Sequence, residues 1–208
     1  MLKILHIICL LSVSGAASAA PPWVSLMNGR NLDGWESVGD GFWNVLKDGT
    51  LVGQRDPSKS IHQAWLYSKQ EFGDFELELD FWTRQGGNSG VSILDSSRGR
   101  YSFGPEWEPG KTPSHIGYEI QISFSYPGDR YPTGSVYNFV EAKLGAQVEN
   151  DWNHLSIEHR RGMVRVRLNG QLVAEHPRDA DRAVRGPIGL QLHDKNTVAM
   201  FRNIRIRQ

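Results

Sequence analysis

The sequence predicts an all-β protein, a sandwich of two antiparallel sheets, and three observations carry that prediction. Asp74–Arg84 and Gly117–Ser123 alternate strictly between apolar and polar residues, the two-residue period of a half-buried strand. Turn dipeptides such as Asp48-Gly49 and Asn169-Gly170 separate short strand-like runs. No segment of the 208 residues keeps a helical period over a useful length, and there is no internal repeat or second hydrophobic unit.

In chain order, Pro21 and Pro22 form an extended lead, followed by Trp23–Leu26 and a turn at Asn28-Gly29. Gly34-Trp35 follows, and Phe42–Val45 and Leu51-Val52 flank Asp48-Gly49 as a hairpin. Gln54–Gln63 is polar, contains Pro57 and reads as loop; Ala64–Ser68 reads as a short strand. In Asp74–Arg84 the core face is Phe75, Leu77, Leu79 and Phe81, and the other face carries Glu76, Glu78, Asp80 and Trp82. Three carboxylates on one face repel, so that face must be wet, paired with cations or bound to a ligand. Gln85–Gly90 turns the chain and Val91–Leu94 returns it. This glycine-rich turn joins strands rather than opening a helix, which excludes a phosphate cradle. Asp95–Ile116 is long, and Tyr101, Phe103 and Trp107 make it an ordered flap. After Gly117–Ser123 come a loop through Pro127 and Pro132, a short strand at Thr133–Tyr137 and a short helix within Asn138–Val148. Asp151–Arg160, Val164–Leu168 and Gln171–Glu175 form three strands joined at Arg161-Gly162 and Asn169-Gly170. Ile188–Leu192 and Val198–Ile206 form a last hairpin across Asp194–Asn196.

Composition narrows the function. Lys and Arg number 23 and so do Asp and Glu, so no net field attracts nucleic acid or an anionic membrane. Twenty-two glycines and seven tryptophans fit a turn-rich sandwich and sugar-binding surfaces. Residues 1–19 read as a signal peptide: Lys3, the apolar run Ile4–Val13, and the small-x-small site Ala17-Ser18-Ala19. The run is too short to span a bilayer. The expectation is an exported protein, periplasmic or secreted, with one domain over residues 20–208 and no membrane insertion of the mature chain. Cys9 falls inside the leader, so the mature chain has no disulfide or thiolate metal site.

The candidate chemistry lies on the polar strand faces. Glu119, Gln121 and Ser123 oppose Tyr118, Ile120 and Ile122; Gln191 and His193 oppose Leu190 and Leu192; Arg202 follows Phe201 in the final strand. Gathered on one concave sheet, Glu119, Gln121, Gln191, His193, Arg202 and Asp80 combine acid, base, amide and cation, a set that can grip a polyhydroxyl ligand and move protons. Asn88 presents an amide at the rim, and Trp107 an aromatic surface in the flap. Taken singly, each has an ordinary surface or turn role; the functional reading depends on their joint placement. His154 and His159 fall on opposite faces of one strand and form no metal pair, and neither an HExxH nor a Gly-x-Ser-x-Gly motif occurs.

An ordered series of short motifs resembles the 3-keto-disaccharide hydrolase family. It begins with Met27–Trp35, continues through Asp74-Phe75-Glu76-Leu77 and Asn88-Ser89-Gly90-Val91, and includes Gly117–Ile122 and Thr133-Gly134 with Tyr137. Trp152-Asn153, Leu168-Asn169-Gly170, Gly189-Leu190-Gln191 with His193, and Phe201-Arg202-Asn203-Ile204 complete it, so the resemblance spans roughly the whole mature chain. It implies a concanavalin-A-like jelly roll and cleavage of 3-keto-glycosides, by hydrolysis or by elimination followed by hydration. A C3 ketone acidifies the C2 proton, so the chemistry needs a base, an acid for the C1 leaving group and donors for the enolate. The resemblance implies Glu119 and His193 as acid and base in either order, Arg202 beside the enolate, and Gln121, Gln191 and Asn88 on the hydroxyls. It implies no organic cofactor, and a divalent metal in some members. Two positions depart from the pattern: Leu94 stands where an arginine is frequent, and Val164-Arg165-Val166-Arg167 replaces a run with a histidine before the Leu-Asn-Gly turn. The alternative is a non-catalytic carbohydrate-binding module of the same fold.

Overall fold

The computed structural model describes residues 20–56, 58, 62–123 and 130–208. The signal-peptide reading, Pro57 and Pro127 lie outside the described residues. Among the described residues, thirteen strands run in this order: β1 (Val24–Ser25), β2 (Trp35–Val38), β3 (Gly41–Val45), β4 (Leu51–Arg55), β5 (Ala64–Phe72), β6 (Phe75–Thr83), β7 (Asn88–Ile93), β8 (Tyr118–Ser123), β9 (Asn153–Arg160), β10 (Met163–Leu168), β11 (Gln171–Pro177), β12 (Gly186–Leu192) and β13 (Val198–Arg207). They form two antiparallel sheets, one of order β11-β10-β9-β6-β13-β4-β3 with β1 beside β13, the other β2-β5-β12-β7-β8. The all-β jelly-roll sandwich is therefore the fold.

The two-residue period builds the interior. Phe75, Leu77, Leu79 and Phe81 of β6 meet Tyr118, Ile120 and Ile122 of β8 and Ile188, Leu190 and Leu192 of β12 in one buried core. Each such side chain contributes about 1.5–3 kcal/mol on leaving water. The outward carboxylates of β6 are paired with cations, as the repulsion argument requires. Glu76 accepts from Arg207, and Glu78 Oε2 accepts from Arg205 at 2.6 and 2.9 Å. In β13 the buried positions jump from Phe201 to Ile204, because Asn203 (φ 54°) forms a bulge that leaves Arg202 and Asn203 both exposed.

Four expectations change. The glycine turn before β7 is not a hairpin: β6 belongs to the large sheet and β7 to the small one, so the turn carries the chain between layers. Asp194–Asn196 likewise crosses from β12 in the small sheet to β13 in the large. Residues 133–137 follow β8 through backbone bonds (Tyr137 N–H to the Glu119 carbonyl, 2.9 Å) and isolated bridges at Val136, not as a strand. No helix forms in 138–148; a single helical turn, α1 (Pro113–Ile116), ends the flap instead.

Candidate functional site

The outer face of the small sheet is the floor of a cavity, and the flap is its wall. Asp95, fully buried, ties the flap to the sheet. Its Oδ2 accepts from the Tyr67 hydroxyl (2.7 Å) and the Gly99 N–H (2.8 Å), and its Oδ1 accepts from the Ser97 N–H and hydroxyl. At the flap's exit, a Cβ on Gly117 would lie 2.3 Å from the Ile93 carbonyl oxygen, so only glycine lets the returning backbone pass this close.

The enclosed space is about 440 Å³, within the range of small-ligand sites. Glu119, Gln121, Asn88, His193 and Trp107 line it, as the sequence reading requires, together with His62, Gln63, Pro109, Thr112, Ser114, His115, Tyr137, Asn138 and Asp194. Gln191 is fully buried beside Glu119. The glycine of the middle strand makes room for this pair: a Cβ on Gly90 would lie 2.9 Å from Glu119 Oε1 and 3.3 Å from Gln191 Oε1.

The electrostatics follow from that packing. Burial, only partly offset by the nearby His193 charge and the Gln191 amide, pushes the Glu119 carboxyl from 4.5 to about 7. Gln191 is close enough to favour the Glu119 anion yet makes no well-formed hydrogen bond, leaving its Nε2 and Oε1, like Oε1 of Gln121, buried without a partner. A buried carboxamide in that condition is unfavourable by about 1–3 kcal/mol; Gln121 lines the cavity, where a ligand's hydroxyls can remove that cost, and Gln191 does not line it. At His193, burial opposes charging, but the Nδ1 bond to Asp194 Oδ1 (2.9 Å) and the negative charges of Asp194 and Glu119 outweigh it, and the imidazole is raised above 6.5. With Nδ1 held by Asp194, Nε2 is the nitrogen left for a ligand. The His193 backbone is braced as well: its carbonyl accepts from Arg55 (2.9 Å), whose side chain is buried against Asp40, and its N–H reaches the Asn88 carbonyl.

Two histidines escaped the sequence reading. His115 Nδ1 lies 2.8 Å from the Thr112 hydroxyl; burial and then the Arg182 charge hold it below 6.5, so it is a neutral imidazole near neutral pH. His62 stacks on Trp107 with centroids 4.8 Å apart, an aromatic pair at the mouth. His62 precedes β5 in an irregular segment and His115 sits in the single turn α1; neither is marked by apolar periodicity, and proline at the first position of α1 was the one signal near His115.

Asp80 and Arg202 do not join this group. They lie on the outer face of the large sheet, because β6 and β13 belong to that sheet and the Asp194–Asn196 turn changes layers. Asp80 accepts from Asn203 (2.7 Å) and Arg202 (3.3 Å) and bonds His154 Nδ1 (2.9 Å), while Arg202 stacks over Trp152. Partial burial raises the Asp80 carboxyl, but those bonds outweigh it and leave it below the ordinary range. Arg202 therefore has no place beside an enolate in the cavity, and among the described residues lining the cavity there is no Arg or Lys. Among the described residues no three His, Cys, Asp or Glu side chains converge as a cation site. Leu94, at the position of a frequent arginine, is buried in the core.

The profile of a family described as the 3-keto-alpha-glucoside-1,2-lyase-like domain matches residues 22–207. No curated protein matches the sequence. Two solved proteins of Parabacteroides distasonis, each described provisionally as a glycosyl hydrolase, share the fold. One has a TM-score of 0.68 at 20% identity, covering 89% of this chain and 93% of its own; the other has 0.67 at 25%, covering 90% and 99%. The carbohydrate-binding module CBM66 of Bacillus subtilis has a TM-score of 0.53 at 18% identity, covering 90% and 100%. The fold is one shared by glycosyl-hydrolase-like and carbohydrate-binding proteins.

Proposed function

Because the chain belongs to the 3-keto-alpha-glucoside-1,2-lyase-like family, we propose that it cleaves 3-keto-glycosides, with His193 as base and Glu119 as acid. The observation that carries this reading is the pairing, on one cavity floor, of a buried carboxyl titrating near 7 with an imidazole oriented by Asp194. A group titrating near the working pH is the best compromise between holding a proton and passing it on.

His193 Nε2 takes the proton from C2 of the sugar, which the adjacent C3 ketone has acidified. The C1–O bond breaks, the electron pair of the C2–H bond becomes the C1=C2 double bond, and protonated Glu119 delivers its proton to the departing oxygen. The protein begins this step with two neutral groups and ends it with an imidazolium beside a carboxylate, the arrangement their mutual attraction favours. Water added across C1=C2 then yields the free 3-keto sugar, so elimination and hydrolysis differ in whether that second step occurs in the cavity. The amides of Gln121 and Asn88 replace Arg202 as the donors available to the enolate oxygen. Trp107 and His62 at the mouth offer an apolar face to the leaving sugar. A signal-directed, exported location remains part of the proposal, as the composition of residues 1–19 supports.

The test is incubation with 3-keto-trehalose and with α- and β-3-keto-glucosides, with and without chelator. The near-ultraviolet absorbance of the conjugated enone reports elimination, and mass spectrometry reports the hydrated product. Turnover lost in Glu119→Gln and His193→Ala supports the assignment. No product from any of these substrates, together with binding of unoxidised glycans that survives both substitutions, establishes the carbohydrate-binding alternative instead.

A further inference from the structure

Asp80 and Arg202 border a second depression, on the opposite side of the molecule's two layers from the candidate active site. Between β1 and the outer face of the large sheet lies a cavity of about 610 Å³, lined by Trp23, Ser25, Asp80, His154, Asn203 and Arg205. A neighbouring one of about 410 Å³ shares Ser25 and Asn203 and continues past Arg202 to the Asp48-Gly49 turn. We propose that this groove is a second carbohydrate site, which holds a neutral oligosaccharide away from the reacting centre. The proposal rests on carbohydrate being this protein's ligand, but not on turnover or on which residues catalyse.

The side chains match a pyranose. Trp23 lines the groove, with the Arg205 and Arg207 guanidinium groups over its ring, 4.9 and 4.6 Å from the centroid. The Asp80 carboxylate, the Asn203 amide and the His154 imidazole are planar and already oriented by their mutual hydrogen bonds, at 2.7 Å for Asn203 and 2.9 Å for His154. Little rotamer entropy is left to lose when a ligand arrives. Planar donors and acceptors take paired hydroxyls, and an indole face takes the C–H face of the ring.

The charges select a neutral ligand. Arg205 lies 2.6 Å from Glu78 and Arg202 3.3 Å from Asp80, so the groove offers no unbalanced charge to an anion or a cation. The backbone builds this surface deliberately in one respect: the bulge at Asn203 turns two consecutive residues outward where a regular strand offers one.

Calorimetric titration of the mature chain with maltohexaose, cellohexaose, laminarihexaose and xylohexaose tests the idea. At least one should bind, equally in wild type and in Glu119→Gln. Trp23→Ala and Asn203→Gly should each weaken that binding by about tenfold or more, as removal of a central aromatic or polar anchor does, and leave turnover of a 3-keto-glucoside unchanged. Glycine is chosen at 203 because φ is 54° there and the bulge survives the change; thermal melting verifies that both variants are folded. Absence of binding by all four hexasaccharides overturns the proposal. So does binding that Glu119→Gln abolishes while the two groove variants keep it. Groove-dependent binding without any turnover overturns only the enzymatic reading, and turnover without binding overturns only the groove.

Discussion

Replacing Glu119 by glutamine should stabilise the protein, and only above acidic pH. A glutamate in the unfolded chain titrates near 4.5, whereas burial raises Glu119 to about 7 in the native state. The native state therefore holds the proton more tightly. Between those two pH values it carries more protons than the unfolded chain, and stability falls as pH rises. At about 1.4 kcal/mol per pH unit, the full interval amounts to a loss of about 3 kcal/mol, complete somewhat above pH 7. Glutamine keeps the shape and cannot ionise, so it escapes that loss. The attraction to His193 is already contained in the value near 7, and it fades once the imidazole is neutral at higher pH. Urea unfolding of both proteins across pH is the assay. The two should agree near pH 4 and diverge until the variant is more stable by up to about 3 kcal/mol at pH 8. A variant less stable at pH 8, or a gap that does not change with pH, would refute the claim that Glu119 is buried as an acid held near neutrality.

Three further outcomes follow from the same geometry. Asp194→Asn removes the charge and weakens the bond that raise His193, so the acidic limb of the kcat/KM profile should move to lower pH. A raised histidine stabilises the fold at pH values below its unfolded value and loses that contribution as pH rises through the folded one; Asp194→Asn should therefore be less stable at acidic pH, with the deficit closing towards pH 9. Gly90→Ala places a Cβ 2.9 Å from Glu119 Oε1 and displaces the carboxylate. Turnover should fall by about ten- to a hundredfold, with about 1–3 kcal/mol of stability lost instead of the usual small gain; a fully active, stabilised variant would show that the carboxylate is not needed where it lies. Gln191→Met deletes two buried, unpartnered polar atoms at nearly constant volume, so the melting temperature should rise, which thermal unfolding of both proteins checks.

What was legible in the chain was whatever a single strand determines for itself. Phe75, Leu77, Leu79 and Phe81 face inward and Glu119 and Gln121 outward because adjacent residues of a strand must point to opposite faces, and this holds whatever the strand pairs with. Sheet membership is a different kind of fact. It is set by which strand supplies the hydrogen-bonding partner, and alternation carries no record of that. His193 and Arg202 stand nine positions apart and both point outward, yet three turn residues between them carry the chain from one layer to the other, so the two outward directions are opposed. The turn at Gly86 and Gly87 does the same to Asp80 and Asn88. Helix placement failed for a related reason. Thr112-Pro113-Ser114-His115 carries proline at the first helical position, a start signal that acts without any apolar period, and a search by period passes over it. It passes over His115 for the same cause, though that turn is what brings the imidazole to the cavity.

The glycine at position 90 shows how far a local motif can still reach across strands. In the sequence, Asn88-Ser89-Gly90 reads as turn chemistry, and the turn lies one step earlier than that. Its third residue is instead the strand position where a side chain is forbidden, because Glu119 from β8 and Gln191 from β12 need the space above it. A missing side chain on the middle strand is thus what allows an acid and an amide from its two neighbours to meet and to be buried together. Burial is in turn what raises the carboxyl to about 7. The proton-transfer capacity proposed for Glu119 depends in this way on a residue that contributes no functional group, and the same glycine ties the first and third predictions together. If Gly90→Ala displaces the carboxylate into water, its titration must fall back towards 4.5 and the pH-dependent stability gap to Glu119→Gln must shrink with it.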